Sequence, residues 1–436
     1  MRLPRRAHPR GSPPEGHGLD RPRGHRAAFP RGGHRRTGTG AAARREHLVT
    51  VPHGGRSTSV TAYRGAAAGL PALCAGRRPL VVASDRALRR ADVHAWLPAE
   101  AEVFTEFHPN PTVEQALEAA RLRHAWGADL VVGIGGGSAL DVAKAACLLP
   151  RDADAAGQVV AGTLDPAERV TLLLVPTTAG TGSEVTQFAT LYQEGRKVSL
   201  DTPHARADLA VVDPALTDSC PAELTWSCAF DTLAHAVESL WSIRSTRRSR
   251  EHAVAALERL VPVLRQAGAA PDPAERDALS RAATDAGRAI DITRTTAAHA
   301  LSYPLTSRLG VPHGLACALN LTWLAPLVEA AGADEILDPR GPGAVEAALE
   351  ALRAACGVTA GGLGPFVTEL VTRRMPATAW RRPDADTALV DQLVAEGMSS
   401  NRMAGMPITL ERARVRAGLV SALGAAPART EDACYA

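Results

Sequence analysis

The stretch DLVVGIGGGSALDVAKAACLL (residues 129–149) reads as a short apolar strand that runs into glycines and out again as a helix. Gly135, Gly136, Gly137 and Ser138 sit at the junction, where a pyrophosphate needs close backbone approach, free N–H donors and the positive end of a helix dipole. The spacing is G-G-G-S-x-x-D, ending at Asp141, and is not the G-x-G-x-x-G of the ordinary Rossmann fingerprint. A tight turn also uses a glycine run, so this loop alone leaves both meanings open. The pattern returns in VTLLLVPTTAGTGSE (170–184), where Thr177, Thr178, Thr181 and Ser183 offer hydroxyls to a ribose or phosphate, or else cap the turn. Outward from these, RRPLVVASD (77–85) is another buried strand and TVEQALEAARLRHAWGA (112–128) has helical spacing. Strand and helix in alternation predict a parallel α/β domain. Asp85, closing its strand, is placed to accept from an adenosine ribose and repel a 2′-phosphate, favouring NAD over NADP, or to cap the helix that follows.

The pattern changes after Asp213-Pro214. PAELTWSCAFDTLAHAVESLW (221–241), REHAVAALERLVPVLRQAG (250–268) and ERDALSRAATDAGRAIDITRTTAAHALSYPL (275–305) are Ala- and Leu-rich with helical period. Pro221 suits a first helical turn, with Ser219 or Cys220 at the cap. The expectation is an α/β dinucleotide-binding domain over 47–216 and an all-helical domain over 217–436. Within the helical part, Asp231 and His235 lie four apart, on one face of a helix. An exposed pair is the ordinary meaning of that spacing. Here the neighbours Phe230, Leu233, Ala234, Val237 and Leu240 are apolar, and ionisable groups in apolar surroundings need a compensating partner. His299 and His313 follow, fourteen apart. Three imidazoles and a carboxylate form a mixed nitrogen–oxygen set suited to a divalent transition metal.

At 436 residues the chain is long enough for two domains. Its net charge of +3 conceals an asymmetry. Residues 1–46 hold twelve arginines against Glu15, Asp20 and Glu46, a local charge of +9, which leaves −6 on the rest. That mildly acidic body argues against nucleic-acid binding. The basic segment is rich in Gly, Pro and His without hydrophobic period, and is expected to be a disordered extension or a translation start placed too far upstream. Seven scattered cysteines without a C-x-x-C pair fit reduced, buried thiols. No stretch is apolar for long enough to span a bilayer, and the cytoplasm is the expected location.

Taken with P-T-T-A-G-T-G-S-E (176–184), D-P-x-L (213–216), D-x-x-x-H-A-x-E (231–238) and P-H-G (312–314), residues 48–425 resemble the iron-dependent (group III) alcohol dehydrogenases. That fold is shared with glycerol dehydrogenase and dehydroquinate synthase. The resemblance implies Asp231, His235, His299 and His313 as ligands of Fe(II) or Zn(II). It implies that Gly136, Gly137, Ser138, Thr177, Thr178 and Lys197 face the dinucleotide and that Asp85 reads its ribose. It also implies a homodimer. One departure matters: many members carry a histidine four after the third ligand, where this chain has Tyr303. Together with T-T-A-x-H-A-L-S-Y-P and Arg294 before it, that looks like the phosphonoacetaldehyde reductase subgroup.

The implied chemistry is hydride transfer from NAD(H) to a small aldehyde, with the cation as Lewis acid and Tyr303 as a candidate in the proton path. A phosphonate substrate needs a cationic anchor. Arg294 is the first candidate, Arg308 and Arg402 the weaker ones, and the plain alternative is that Arg294 pairs with Asp291. Competing readings are a reductase of neutral aldehydes or diols, a lyase on the same scaffold, and a non-catalytic nucleotide- or metal-binding protein.

Overall fold

The computed structural model describes residues 58–90, 97–98 and 101–425, which belong to one compact unit. The basic segment 1–46 lies outside the described residues. The first part of the described chain runs β1 (Ser59–Ala62), α1 (Leu70–Cys74), β2 (Pro79–Ala83), α2 (Asp85–Arg90), β3 (Glu102–Phe104), α3 (Val113–Trp126), β4 (Leu130–Gly135), α4 (Gly137–Leu148), α5 (Ala153–Val160) and β5 (Thr171–Pro176). A hairpin, β6 (Phe188–Gln193) and β7 (Arg196–Asp201), and a last strand, β8 (Leu209–Val212), complete it. Nine helices follow among the described residues: α6 (Ala222–Trp241), α7 (Arg247–Gln266), α8 (Pro273–Thr293), α9 (Ala297–Leu309), α10 (His313–Ala330), α11 (Pro342–Cys356), α12 (Leu363–Arg374), α13 (Thr387–Met398) and α14 (Arg412–Leu423).

The six-stranded sheet is parallel throughout, in the order β1-β8-β5-β4-β2-β3. β2, β4 and β5 are buried along their whole length, as expected for a parallel sheet covered on both faces. The chain goes from β2 outward to β3, then crosses back over β2 to β4. The strand order therefore reverses between β2 and β4. A crevice opens at such a reversal, beyond the carboxyl ends of the two strands. Gly135 and Asp85 sit at those two ends. Local chemistry sets the flanking helices: Thr112 caps α3 in a reciprocal box with Gln115, and Gly127 ends it in the left-handed conformation.

The expected boundary near residue 216 falls in the short turn Pro214–Thr217. α8 then packs back on the Ser183–Val185 turn, so the helical half is in contact with the sheet half. Two local expectations differ from what is found. α6 begins at Ala222 with Pro221 itself at the cap position and no side-chain cap; the Cys220 thiol instead donates to the Thr177 carbonyl. The long helical stretch 275–305 is broken at Arg294, whose φ of 61° terminates α8. The break puts His299 in the first turn of α9.

The glycine of P-H-G has a packing reason. A Cβ on Gly314 would lie 1.9 Å from the Ser227 carbonyl oxygen and 2.7 Å from the Asp231 nitrogen. Only a residue with no side chain lets the start of α10 press onto α6 at that level. We predict that Gly314→Ala destabilises the fold by about 3 kcal/mol and weakens divalent-metal binding, measured by thermal melts and metal titration. An unchanged melt would show that α10 can shift freely.

Candidate metal and dinucleotide site

α6 carries Asp231, His235 and Glu238 along one stripe, all buried. His299 reaches the same place from α9 and His313 from the first turn of α10. One oxygen, Asp231 Oδ1, lies 3.2 Å from His299 Nε2, 3.6 Å from His235 Nε2 and 3.7 Å from His313 Nε2. The His235 and His299 rings stack at 4.6 Å, and His313 meets His299 edge-on at 5.5 Å.

Electrostatics explains why these groups tolerate burial. Burial pushes the Asp231 carboxyl up, yet the surrounding imidazoles, His235 foremost, outweigh it and hold the group well below the usual carboxylate range. Burial likewise depresses His235 to about 4, leaving a neutral ring suited to metal ligation. His299 moves the other way: burial lowers it, but the Cys317 thiol, Glu238 and Asp231 together raise it well above its ordinary value. A positive charge is thus wanted among Asp231, Glu238 and the rings. A divalent cation fits that need.

Glu238 is the residue that sequence reasoning quoted but gave no task. Its Oε1 accepts from Thr296 N (3.1 Å), Ala298 N (2.7 Å) and Thr296 Oγ1 (2.7 Å). These are the free donors at the start of α9. Its Oε2 takes the Nδ1 side of His299, which turns His299 Nε2 toward Asp231. The i, i+4, i+7 spacing of Asp231, His235 and Glu238 was the available signal. Cys317 was also missed: its sulfur lies with the donor atoms of Asp231, His299 and His313, all within 4.8 Å of one another. It stands four residues after His313, the spacing that could have revealed it.

The same cavity continues to the crevice between β2 and β4. Gly137, Ser138 and Thr181 line it together with the Asp231 cluster and Tyr303. α4 starts at Gly137, with Gly136 at the cap position, and no side chain caps the N–H groups of its first turn. The two loops touch: a Cβ on Gly137 would come 3.0 Å from Thr181 Cγ2, and one on Gly136 3.4 Å from Thr178 Oγ1. Thr177 is buried, its N–H bonded to the Gly135 carbonyl. Asp141 and Ser183 brace this region. The Ser183 hydroxyl donates to Asp141 (2.7 Å) and accepts from the buried Lys144, which also reaches Thr186 and Phe188. At the end of β2, Ser84 accepts from Ala87 N, so Asp85 is not the side chain that bonds there.

The cationic candidates separate cleanly. Arg294 grips Asp201 through two bonds (3.0 and 2.6 Å), donates to the Asp291 carbonyl and lies over Phe188. The Asp291 carboxylate, its expected partner, is taken by Arg206 instead. Arg294 therefore ties the end of α8 to β7 and is absent from the residues lining the cavity. Arg308 is paired with Glu396. Arg402 and Lys197 do line the cavity, and among the described residues neither pairs with a carboxylate. Lys197 Nζ sits 3.7 Å from the centre of the Tyr303 ring, and that ring lies parallel to His313 at 6.0 Å.

Comparison with known proteins agrees with this geometry. Residues 57–214 match the family model of iron-containing alcohol dehydrogenase, and residues 225–355 match its C-terminal counterpart. The chain belongs to the iron-containing alcohol dehydrogenase family. It is 39% identical over 318 residues to phosphonoacetaldehyde reductase of Streptomyces viridochromogenes, covering 70% of this chain and 79% of that one. It is 36% identical over 226 residues to long-chain-alcohol dehydrogenase 1 of Geobacillus thermodenitrificans, covering 51% and 57%. Sulfoacetaldehyde reductase of Bilophila wadsworthia is 31% identical over 220 residues, covering 50% and 57%. Among solved structures, an iron-containing alcohol dehydrogenase superposes with a TM-score of 0.70 at 28% identity, covering 84% of this chain and 97% of that one. Sulfoacetaldehyde reductase from Bifidobacterium kashiwanohense, solved with NAD+, shares the fold with a TM-score of 0.73 at 24% identity, covering 84% and 97%. The protein is an oxidoreductase of the alcohol dehydrogenase and aldehyde reductase type. Among the described residues no helix is long and apolar enough to cross a membrane.

The link from Glu238 to His299 can be tested directly. Glu238→Gln keeps the shape but weakens the bond that orients the imidazole. We predict a loss of metal affinity of about 10- to 100-fold, read by competition with a chromophoric chelator. Unchanged affinity would remove Glu238 from the support of the site.

Proposed function

We propose that the chain is a divalent-metal-dependent, NAD(H)-linked aldehyde reductase acting on a short aldehyde that carries an oxyanion, such as phosphonoacetaldehyde, to give 2-hydroxyethylphosphonate. The observation that carries this reading is a single cavity lined by the Asp231 cluster, Gly137 and Ser138 of the glycine turn, and two cations, Lys197 and Arg402, that pair with no carboxylate among the described residues. The names of two relatives, phosphonoacetaldehyde reductase and sulfoacetaldehyde reductase, pair a two-carbon aldehyde with such a group.

Asp231, His235, His299 and His313 would hold Fe(II) or Zn(II), which when bound supplies Lewis acidity toward a carbonyl oxygen. The dinucleotide supplies the hydride. The chain's own part is to position and to move one proton. First-turn N–H groups of α4 and the Gly135–Ser138 turn receive the pyrophosphate. Asp85 at the end of β2 accepts from the ribose hydroxyls and repels a 2′-phosphate, which favours NAD. Thr181 offers a hydroxyl from the facing loop. Arg402 and Lys197 anchor the substrate's oxyanion, the guanidinium through paired donors. The Tyr303 phenol donates the proton that completes the alcohol. Burial pushes that phenol up, but Lys197, His299 and Arg402 together outweigh it and bring it down to about 8. A second reading, reduction of neutral aldehydes, draws support from the likeness to a long-chain-alcohol dehydrogenase.

Two measurements decide between them. Arg402→Met should raise KM for phosphonoacetaldehyde by about 10- to 100-fold while leaving KM for acetaldehyde near its starting value; an equal effect on both substrates favours the neutral-aldehyde reading. For Tyr303, the proton is lost as pH rises through about 8, so aldehyde reduction should fall on that alkaline limb. Tyr303→Phe should reduce kcat and flatten the limb, and a limb that persists would assign it to another group.

A further inference from the structure

We propose that Cys317 is itself a ligand of the cation, its sulfur standing beside Asp231, His299 and His313. This rests on reading the cluster as a metal site and adds a donor that the family pattern of one aspartate and three histidines does not contain. Cys317 is fully buried, one helical turn beyond His313 on α10, so the two side chains share a face. Its Sγ lies 3.9 Å from His313 Nε2. Metal bonds of about 2.0–2.1 Å to nitrogen or oxygen and about 2.3 Å to sulfur place the ligand atoms of a tetrahedral site roughly 3.3–3.6 Å apart. The separations of 3.2, 3.7 and 3.9 Å lie near that range, and every pair of the four donors is within 4.8 Å. His235 Nε2, 3.6 Å from Asp231 Oδ1, fits it as well, so Cys317 stands beside the histidines as a further donor.

A second, independent observation comes from the far side of the rings. A ligating imidazole normally donates its other N–H to a fixed acceptor. His299 has Glu238 there, and His313 has the Ser302 hydroxyl at 3.3 Å from Nδ1. His235 Nδ1 is buried with no hydrogen-bond partner among the described residues. His235 is thus the least anchored of the three imidazoles, and it stands outside the set of four donors that lie within 4.8 Å of one another. Two other buried thiols, those of Cys147 and Cys220, point at carbonyl oxygens, whereas Cys317 points at the His313 imidazole.

On metal binding the thiol proton leaves to solvent as the sulfur–metal bond forms. One carboxylate and one thiolate then balance a divalent cation among neutral imidazoles. A soft sulfur donor also moves metal preference toward Zn(II).

The test uses the full-length protein, stripped of metal and reloaded with Co(II). The expected spectrum has visible ligand-field bands together with a near-ultraviolet thiolate-to-cobalt charge-transfer band. Cys317→Ala should lose the second and keep the first, while Cys356→Ala keeps both. In Zn(II)-loaded wild-type protein, X-ray absorption should show a sulfur neighbour at about 2.3 Å, a readout that does not depend on any variant folding. Ligand-field bands without charge transfer, or a zinc shell of light atoms alone, would overturn the role of Cys317 and leave the metal site standing. No cobalt uptake at all would bring down both.

Discussion

Two carboxylates, Asp231 and Glu238, are buried two turns apart on one largely apolar helix, and that burial is tolerable only if each is compensated. Much of the helical half can be read as the compensation. Glu238 is satisfied by the open N-terminus of α9, which exists because Arg294 breaks the preceding helix. Asp231 is satisfied by three imidazoles, one of which arrives only because Gly314 lets α10 touch α6. Charge, packing and helix termination therefore serve one point in space.

The sheet half meets that point from the other side. Its strand order reverses between β2 and β4, and the opening this creates leads from the glycine turn toward the Asp231 cluster. The β6–β7 hairpin closes part of the wall and contributes Lys197. The pairing of Arg294 with Asp201 and of Arg308 with Glu396 leaves the cavity with Lys197 and Arg402 as its cations. A buried or half-buried cation without a carboxylate attracts an anionic ligand, which is how a fold common to many dehydrogenases can be tuned to one class of substrate.

Much of this was legible in the chain. The strands around Leu80, Leu130 and Leu172 announced themselves as apolar runs ending in turn residues, and the helix from Thr112 by its spacing. Asp231 and His235 were legible because four-residue spacing is a property of a single helix. The roles of Glu238 and Cys317 needed the same arithmetic carried one step further, to i+7 from Asp231 and i+4 from His313. Arg294 was read as a candidate anchor; its pairing with Asp201 joins residues more than ninety positions apart, which no local spacing announces.

The sequence by itself determined the alternation of strand and helix, the two glycine-containing turns after β4 and β5, and the spacing of Asp231 and His235, because these depend on local periodicity and residue chemistry. Tertiary structure alone decided which donors converge, which arginine is spent on a salt bridge and which faces the cavity. Convergence and pairing join residues tens of positions apart, and their distances depend on how helices cross and where backbone breaks occur, which local spacing does not encode.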